Sequence, residues 1–221
     1  MTAARTEAFH PLRSALVLID LQCDFLDLRG YAAQAGLDVA RLRRVIGPAQ
    51  ALRDAARDCG LRVIFTREGH RPDLSDCPAT KWARSRAAGA EIGSRGPLGR
   101  LLVRGEQGHA LIDEFTPGEG ELIVDKAGYS AFHQTDLDQI LRVAAIDTLI
   151  VGGVTTEVCV HSTVRAAVDL GYRCITVSDA CAASQAELQV PALAMLQVEG
   201  GVFGEVVDHA ALLRRMTREL A

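Results

Sequence analysis

Short apolar runs recur along this chain, and each is followed by a longer stretch with helical patterning. The runs are ALVLID (15–20), LRVIFT (61–66), ELIVD (121–125), DTLIVGG (147–153), RCITVSD (173–179) and GVFGEV (201–206). Strands buried on both faces read as unbroken apolar runs, and strands that alternate with helices join a parallel sheet through crossover connections. The pattern predicts a single α/β domain over residues 1–221, a three-layer α/β/α Rossmann-like fold on a mainly parallel six-stranded sheet. Leu42, Val45, Ile46, Ala49 and Leu52 share one face of a helix predicted over Asp38 to Cys59, which Gly60 closes. Glu157 to Leu170 ends similarly at Gly171, and further helices are predicted near 135–144, 187–199 and 207–219.

Two segments break the rhythm. Residues 1–13 read as an N-terminal arm, and residues 67–120 scatter glycine and proline among charged residues as a long excursion over the sheet. A structureless loop of that length is unusual in a compact domain, so the excursion is predicted to contain short helices and to serve as a lid or subunit contact.

Composition narrows the classes. With 221 residues, 48% of them hydrophobic, the chain can bury a substantial core. Its formal net charge is −4, from 24 basic and 28 acidic residues, and no basic stripe offers a footprint for nucleic acid. MTAARTEAFHPLR lacks the apolar stretch of a signal peptide, and no apolar run approaches membrane-spanning length. A soluble, cytoplasmic protein without membrane partners is expected. Six cysteines (23, 59, 77, 159, 174 and 181) show no CxxC pair or zinc-site spacing and read as reduced thiols. Neither GxGxxG after a strand nor GxxxxGK[ST] occurs, so no cofactor is expected.

Ligands of open α/β sheets bind beyond the carboxyl ends of the strands, where loops and helix N-termini converge. Asp20 ends the first predicted strand, Arg67 and Glu68 follow the second, Asp125 and Lys126 end the third, and VGGVTTEVC leads from the fourth into a helix. Cys159 falls in the first turn of that helix, where unpaired N–H groups and a nearby Lys126 favour a thiolate. The backbone amides of Thr155 and Cys159 are candidates for an oxyanion hole, with Gly152 and Gly153 permitting a tight turn. At least one of the Thr155 and Thr156 side chains is predicted to cap the helix. Burial should raise the Asp20 pKa while Lys126 lowers it. Asp20 can then act as general base and acid, or cap the next turn and pair with Lys126 for stability; position leaves both open.

DLQCDF (20–25), Lys126 followed by AGYSAF, and GGVTTEVCVHSTVRAAVDLGY (152–172) resemble the isochorismatase-like cysteine hydrolases. The resemblance runs through nearly the whole chain, with three motifs in order at strand ends. It implies an Asp20–Lys126–Cys159 catalytic triad, a cis peptide at Val154–Thr155 and a homodimer or homotetramer. Within the superfamily, FTREGHRPDLSDCPATKWARSR (65–86), GPLGRLLVRGE (96–106) and EGGVFG (199–204) are similar to the biuret and triuret hydrolases. The implied reaction is hydrolysis of a carbamoyl-urea C–N bond through an acyl-cysteine, with release of ammonia.

Phe25, Val154 and Glu199 are the substrate-binding residues that the resemblance implies, although Phe25 by itself reads as core and Glu199 as a solvated helix end. The resemblance to the biuret hydrolases implies a glutamine at the position where Glu199 stands. A carboxylate only accepts hydrogen bonds, which points to triuret or another substrate end rich in N–H groups. The nicotinamidases of the superfamily bind a metal through an Asp and two histidines, whereas TREGHRPD offers His70 alone, so no metal is implied. His10, His109, His133, His161 and His209 lack ligand spacing. The alternatives are another ureido or carbamoyl amidohydrolase (N-carbamoylsarcosine or ureidoacrylate type), a nicotinamidase, an isochorismatase, or a non-catalytic scaffold.

Overall fold

The computed structural model describes residues 10–219; residues 1–9 of the predicted arm lie outside the described residues. The six apolar runs form strands Ser14–Ile19 (β1), Arg62–Glu68 (β2), Leu122–Lys126 (β3), Thr148–Val154 (β4), Arg173–Ala182 (β5) and Glu205–Val207 (β6). They make one sheet in the order β3-β2-β1-β4-β5-β6, with every pairing parallel. Strand order reverses between β1 and β4, so the ligand crevice of such a sheet lies beyond their carboxyl ends.

Every residue of β1 and β4 is buried, which is why their sequences carry no polar alternation. The pleat of β1 sends Leu16 and Leu18 into one core and Ala15, Val17 and Ile19 into another. Besides one-turn segments, the helices are Ile46–Asp58 (α1), Ala79–Ala87 (α2), Leu137–Val143 (α3), His161–Asp169 (α4), Ala186–Leu196 (α5) and His209–Glu219 (α6). Leu52 of α1 and Leu212 of α6 fill the first core; Leu141 of α3 and Val164 of α4 fill the second.

Three boundaries differ from the sequence pattern. The helix predicted from Asp38 begins as one turn over Val39–Leu42, capped by Asp38 Oδ1 accepting from the Arg41 amide at 3.1 Å. It then tightens to a 3₁₀ turn at Arg43–Val45 before α1, because Pro48 has no N–H to return to Arg44. Strand β5 continues past Asp179 to Ala182 after a register shift against β4 between Val151 and Gly153. Strand β6 starts late because Gly200, Gly201 and Gly204 hold positive φ in succession, outside the extended region that a strand repeats.

The 67–120 excursion contains α2, a small antiparallel hairpin (Arg95–Gly96 with Gly99–Arg100) and a 3₁₀ turn at Asp113–Phe115. Leu98, Leu101, Leu102, Val103, Ile112 and Phe115 are buried, so the segment packs as part of the body. Residues of DLQCDF tie it down. The Gln22 side chain donates to the carbonyls of Glu68 (3.0 Å) and His109 (3.1 Å), and Asp24 accepts from the amides of Tyr31 (3.1 Å) and Leu102 (2.9 Å). Among the described residues no helix is long and apolar enough to cross a membrane.

The close approach of β1 and β4 rests on Gly153, which pairs with Ile19 and has φ +126°. A Cβ there would run into the Ile19 backbone, whereas Gly36, at φ +75°, has open space around it. Gly153→Ala is therefore expected to lower the unfolding free energy by about 3 kcal/mol, from backbone strain plus overpacking. Gly36→Ala should cost only about 1 kcal/mol, from its left-handed backbone alone. Urea denaturation of both variants checks this, and equal losses would contradict the close β1–β4 contact.

Candidate active site

Four neighbouring strands each deliver one residue to the rim of the sheet: Lys126 from β3, Glu68 from β2, Asp20 after β1 and Cys159 after β4. Glu68 and Lys126 are register partners, so their side chains leave the same face of the sheet. At Asp20 the chain turns out of β1 with φ +54°, its amide bonded to the Thr66 carbonyl at 3.2 Å. Thr66 Oγ1 donates to Asp20 Oδ1 at 2.7 Å, which fixes the carboxylate.

The chain leaves β4 through a cis Val154–Thr155 peptide, at the position the family resemblance implies. Thr156–Val160 then forms one π-helical turn, and only from His161 does α4 begin. Cys159 thus sits in a widened turn rather than in the first turn of a regular α-helix. The amides of Val158 and Val160 both donate to the Thr155 carbonyl, at 3.2 Å each. Neither threonine side chain caps the helix as predicted. Thr155 makes no capping bond, and Thr156 Oγ1 donates 2.9 Å to Gln189 Oε1 of α5, a partner no local pattern reveals.

Around Cys159 the charges are buried and interlocked. Lys126 Nζ lies 2.7 Å from Asp20 Oδ2 and 3.5 Å from Glu68 Oε2, and it donates to Cys159 Sγ at 3.5 Å and to the Gly128 carbonyl at 3.2 Å. The Cys159 thiol donates to Glu68 Oε2 at 3.3 Å. Lys81 Nζ, from α2, is 2.6 Å from Glu68 Oε1 and donates to the Ala127 carbonyl at 2.6 Å. Two carboxylates therefore face two ammonium groups, and a thiolate would add a third negative charge.

The titration directions follow from that balance. Burial pushes the Cys159 thiol well up; Lys126 opposes this, while Asp20 and Glu68 add to it. The thiolate expected from helix position is outweighed, and the resting group is the thiol. Burial also raises the Asp20 carboxyl, with Lys126 pulling it partly back, both in the expected directions. Glu68 suffers the same burial, but Lys126 and Lys81 together hold its carboxyl below the usual range. Burial lowers Lys126, yet Asp20, Cys159 and Glu68 reverse this and keep it an ammonium.

Beside this cluster lies a cavity of about 460 Å³ lined by Cys159, Glu68, Thr155, Lys81, Arg84, Tyr31, Tyr129, Ser184 and apolar residues including Phe25, Leu37, Ile92 and Val158. Phe25 packs edge-on against Tyr31 with ring centroids 6.0 Å apart. Val154 is fully buried and Asp20 and Lys126 are behind the wall, none of them among the lining residues. Glu199 is not brought to the cavity: it is exposed, at φ +53°, where a left-handed pair with Gly200 follows α5. His70 is buried away from the cavity with Nδ1 3.2 Å from Asp76 Oδ1.

Glu68 was visible in sequence only as a strand-end residue. Its parity with Thr66 on β2, two positions back, is the signal that aims it at the same cluster. Lys81, Tyr31, Arg84 and Tyr129 carry no such signal. Asp20, Glu68 and Cys159 are the group among the described residues whose donor atoms come close enough for a metal, all within 4.8 Å of one another. They surround the Lys126 ammonium, which supplies the positive charge that a cation would bring.

Residues 14–211 match the Isochorismatase domain family. The chain is 34% identical over 176 residues to ureidoacrylate amidohydrolase RutB of Yersinia enterocolitica, covering 78% of this chain and 76% of that one. It is 34% identical over 208 residues to RutB of Methylorubrum extorquens, covering 92% and 83%. Its fold matches a cysteine hydrolase from Pseudomonas syringae pv. phaseolicola with a TM-score of 0.81, at 32% identity over 95% of each chain. It also matches N-carbamoylsarcosine amidase from Thermoplasma acidophilum with a TM-score of 0.68, at 27% identity over 89% and 96%.

Because the raised thiol loses its proton only at high pH, alkylation of Cys159 by iodoacetamide is expected to be slow at about pH 7 and to climb beyond about pH 9. Peptide mapping across a pH series measures it. A rate already on its plateau below about pH 7 would mean that Cys159 rests as the thiolate.

Proposed function

The chain belongs to the isochorismatase family, whose members here are hydrolases of amide and ureido C–N bonds, and we propose that it is a cysteine amidohydrolase of a small linear ureido compound. The observation that carries this reading is the Cys159 thiol held between Lys126 (3.5 Å) and Glu68 (3.3 Å) on the wall of a cavity sized for a small molecule. Cys159 is the nucleophile, Asp20 and Lys126 its triad partners. Sγ attacks the ureido carbonyl while the thiol proton passes to the flanking carboxylates, and the amides of Thr155 and Cys159 receive the developing oxyanion. The amine then departs with a proton, and water hydrolyses the acyl-cysteine.

Two substrate types fit. A ureidoacrylate-type substrate is favoured by the relatives of 34% identity. A carbamoyl-urea substrate of the biuret or triuret type is favoured by the 65–86 segment, which supplies Glu68, Lys81 and Arg84 to the cavity wall. With biuret, ammonia leaves first and the acyl group is released as allophanate. In the ureidoacrylate case the carbamoyl group stays on sulfur and is released as carbamate, which breaks down to ammonia.

An ammonia-release screen over biuret, triuret, ureidoacrylate, N-carbamoyl amino acids, nicotinamide and isochorismate tests the proposal. Turnover is expected on one of the ureido compounds; turnover confined to nicotinamide or isochorismate would refute it. On the active compound, Cys159→Ser should fold and lose turnover, and wild-type rates in that variant would exclude Cys159 as the nucleophile. Asp20→Asn should be inactive at neutral pH, since it removes a proton acceptor beside Cys159 and the negative charge that faces Lys126 at 2.7 Å.

A further inference from the structure

Of the residues lining the cavity, three are charged: Glu68, Lys81 and Arg84. Glu68 and Lys81 neutralise each other at 2.6 Å, and behind the wall Asp20 and Lys126 do the same at 2.7 Å. The Arg84 guanidinium has no carboxylate within ion-pair distance among the described residues; its neighbour is the aromatic ring of Tyr129. The cavity and the cluster behind it therefore carry one positive charge without a counter-charge.

Arg84 stands three residues beyond Lys81 on α2, so both side chains leave the same face of the helix, about 4.5 Å apart along its axis. Lys81 is buried beside Glu68, whereas Arg84 is exposed, which puts the unmatched charge on the solvent side of the cavity. The Tyr129 ring lies under both, with Lys81 Nζ 4.8 Å and Arg84 Cζ 5.2 Å from its centroid, and Arg84 donates to the Tyr129 hydroxyl. That bond leaves most of the guanidinium N–H donors for a ligand. Burial raises the Tyr31 hydroxyl, Glu68 adds to this and Arg84 opposes it, so one hydroxyl faces both the carboxylate beside Cys159 and the guanidinium. Much of the remaining wall is hydrocarbon, from Phe25, Leu37, Ile92, Leu102 and Val158.

We infer that Arg84 is a specificity-determining residue that binds a substrate carboxylate, so that the substrate is a linear ureido acid. This role rests on the ureido amidohydrolase reading above and selects between its two substrate types. Biuret and triuret are neutral and polar along their whole length; they would leave Arg84 unmatched and set N–H groups against hydrocarbon. A ureido acid meets all three parts of the wall, with its ureido carbonyl at Cys159, a short carbon spacer on the apolar side chains and its carboxylate on the planar fork of Arg84. The 65–86 segment resembles that of the biuret hydrolases, yet the charge it brings to the wall fits an anion. Tyr129 is the positioning residue that keeps the guanidinium at the cavity.

Ureidoacrylate and 3-ureidopropionate, each beside its primary carboxamide, test this, with loss of the ureido group as the readout. Wild type should hydrolyse at least one acid with kcat/KM about tenfold or more above that of its carboxamide. Arg84→Gln should abolish that preference, through a KM for the acid raised about tenfold or more at a kcat within a few-fold of wild type. Arg84→Lys, which keeps the charge without the fork, should retain part of it. Wild type that hydrolyses biuret or triuret and neither acid would overturn the role of Arg84 while the amidohydrolase reading stands. So would an Arg84→Gln enzyme that keeps the acid-over-carboxamide preference, or one that loses acid and carboxamide turnover alike, the mark of a structural role. If Arg84→Gln does not fold, the wild-type ratio decides, and equal kcat/KM on acid and carboxamide refutes a carboxylate site. Turnover of nicotinamide or isochorismate alone defeats the amidohydrolase reading, and the role of Arg84 with it.

Discussion

The ammonium of Lys126, with no exposed surface, is held by Asp20 at 2.7 Å and by Glu68 and Cys159 at 3.5 Å. A buried charge is tolerated only when its partners are placed well, and removing one partner from such a pair costs about 3–5 kcal/mol. The rest of the architecture is arranged to meet that condition. Four adjacent strands must end at the same height, and the parallel register that sets Glu68 opposite Lys126 does so. The same cluster decides the state of the nucleophile. With two carboxylates already matched by two lysines, the neutral thiol is the form that leaves no uncompensated charge in a low-dielectric site.

The cluster is also why the long excursion cannot be a mere covering. Lys81 lies on α2, within that segment, yet it supplies the second positive charge that holds Glu68 ionised. Its ammonium also lies 4.8 Å from the Tyr129 ring centre, so the excursion and the loop after β3 close one wall of the cavity together. Gln22 and Asp24, which flank the end of β1, hold the excursion by side-chain bonds to its backbone. Cavity shape and proton chemistry therefore depend on the same contacts.

Much of this was legible from one dimension. Burial on both faces leaves β1 and β4 apolar beyond their first residues, Ser14 and Thr148, and the six apolar runs are accordingly the six strands of the main sheet. The ends of those runs pointed to Asp20 and Lys126 because a polar residue closing an apolar strand at the rim stands out, and Cys159 was reached as the thiol at the start of the helix after the fourth run. Phe25 was placed by motif and does line the cavity. Local chemistry misled where a distant partner intervened. Thr156 would cap a helix in isolation, but Gln189 takes its hydroxyl; Cys159 would ionise at a helix start, but burial opposes it, with two carboxylates adding to the effect. Glu199 is exposed in a left-handed turn with Gly200, as its local reading as a solvated helix end expects; the substrate-binding role came from the resemblance alone.

The sequence by itself determined the layered α/β architecture and that Asp20, Lys126 and Cys159 lie at the carboxyl side of the sheet, because hydrophobic periodicity and chain direction are local properties that strands obey wherever they pair. Only the tertiary structure decided which of two carboxylates touches the cavity, that Lys81 joins the cluster from α2, and that Cys159 rests protonated in a π turn. Those outcomes depend on distances between residues far apart in the chain and on the water their burial removes, and both arise when the strands are brought side by side.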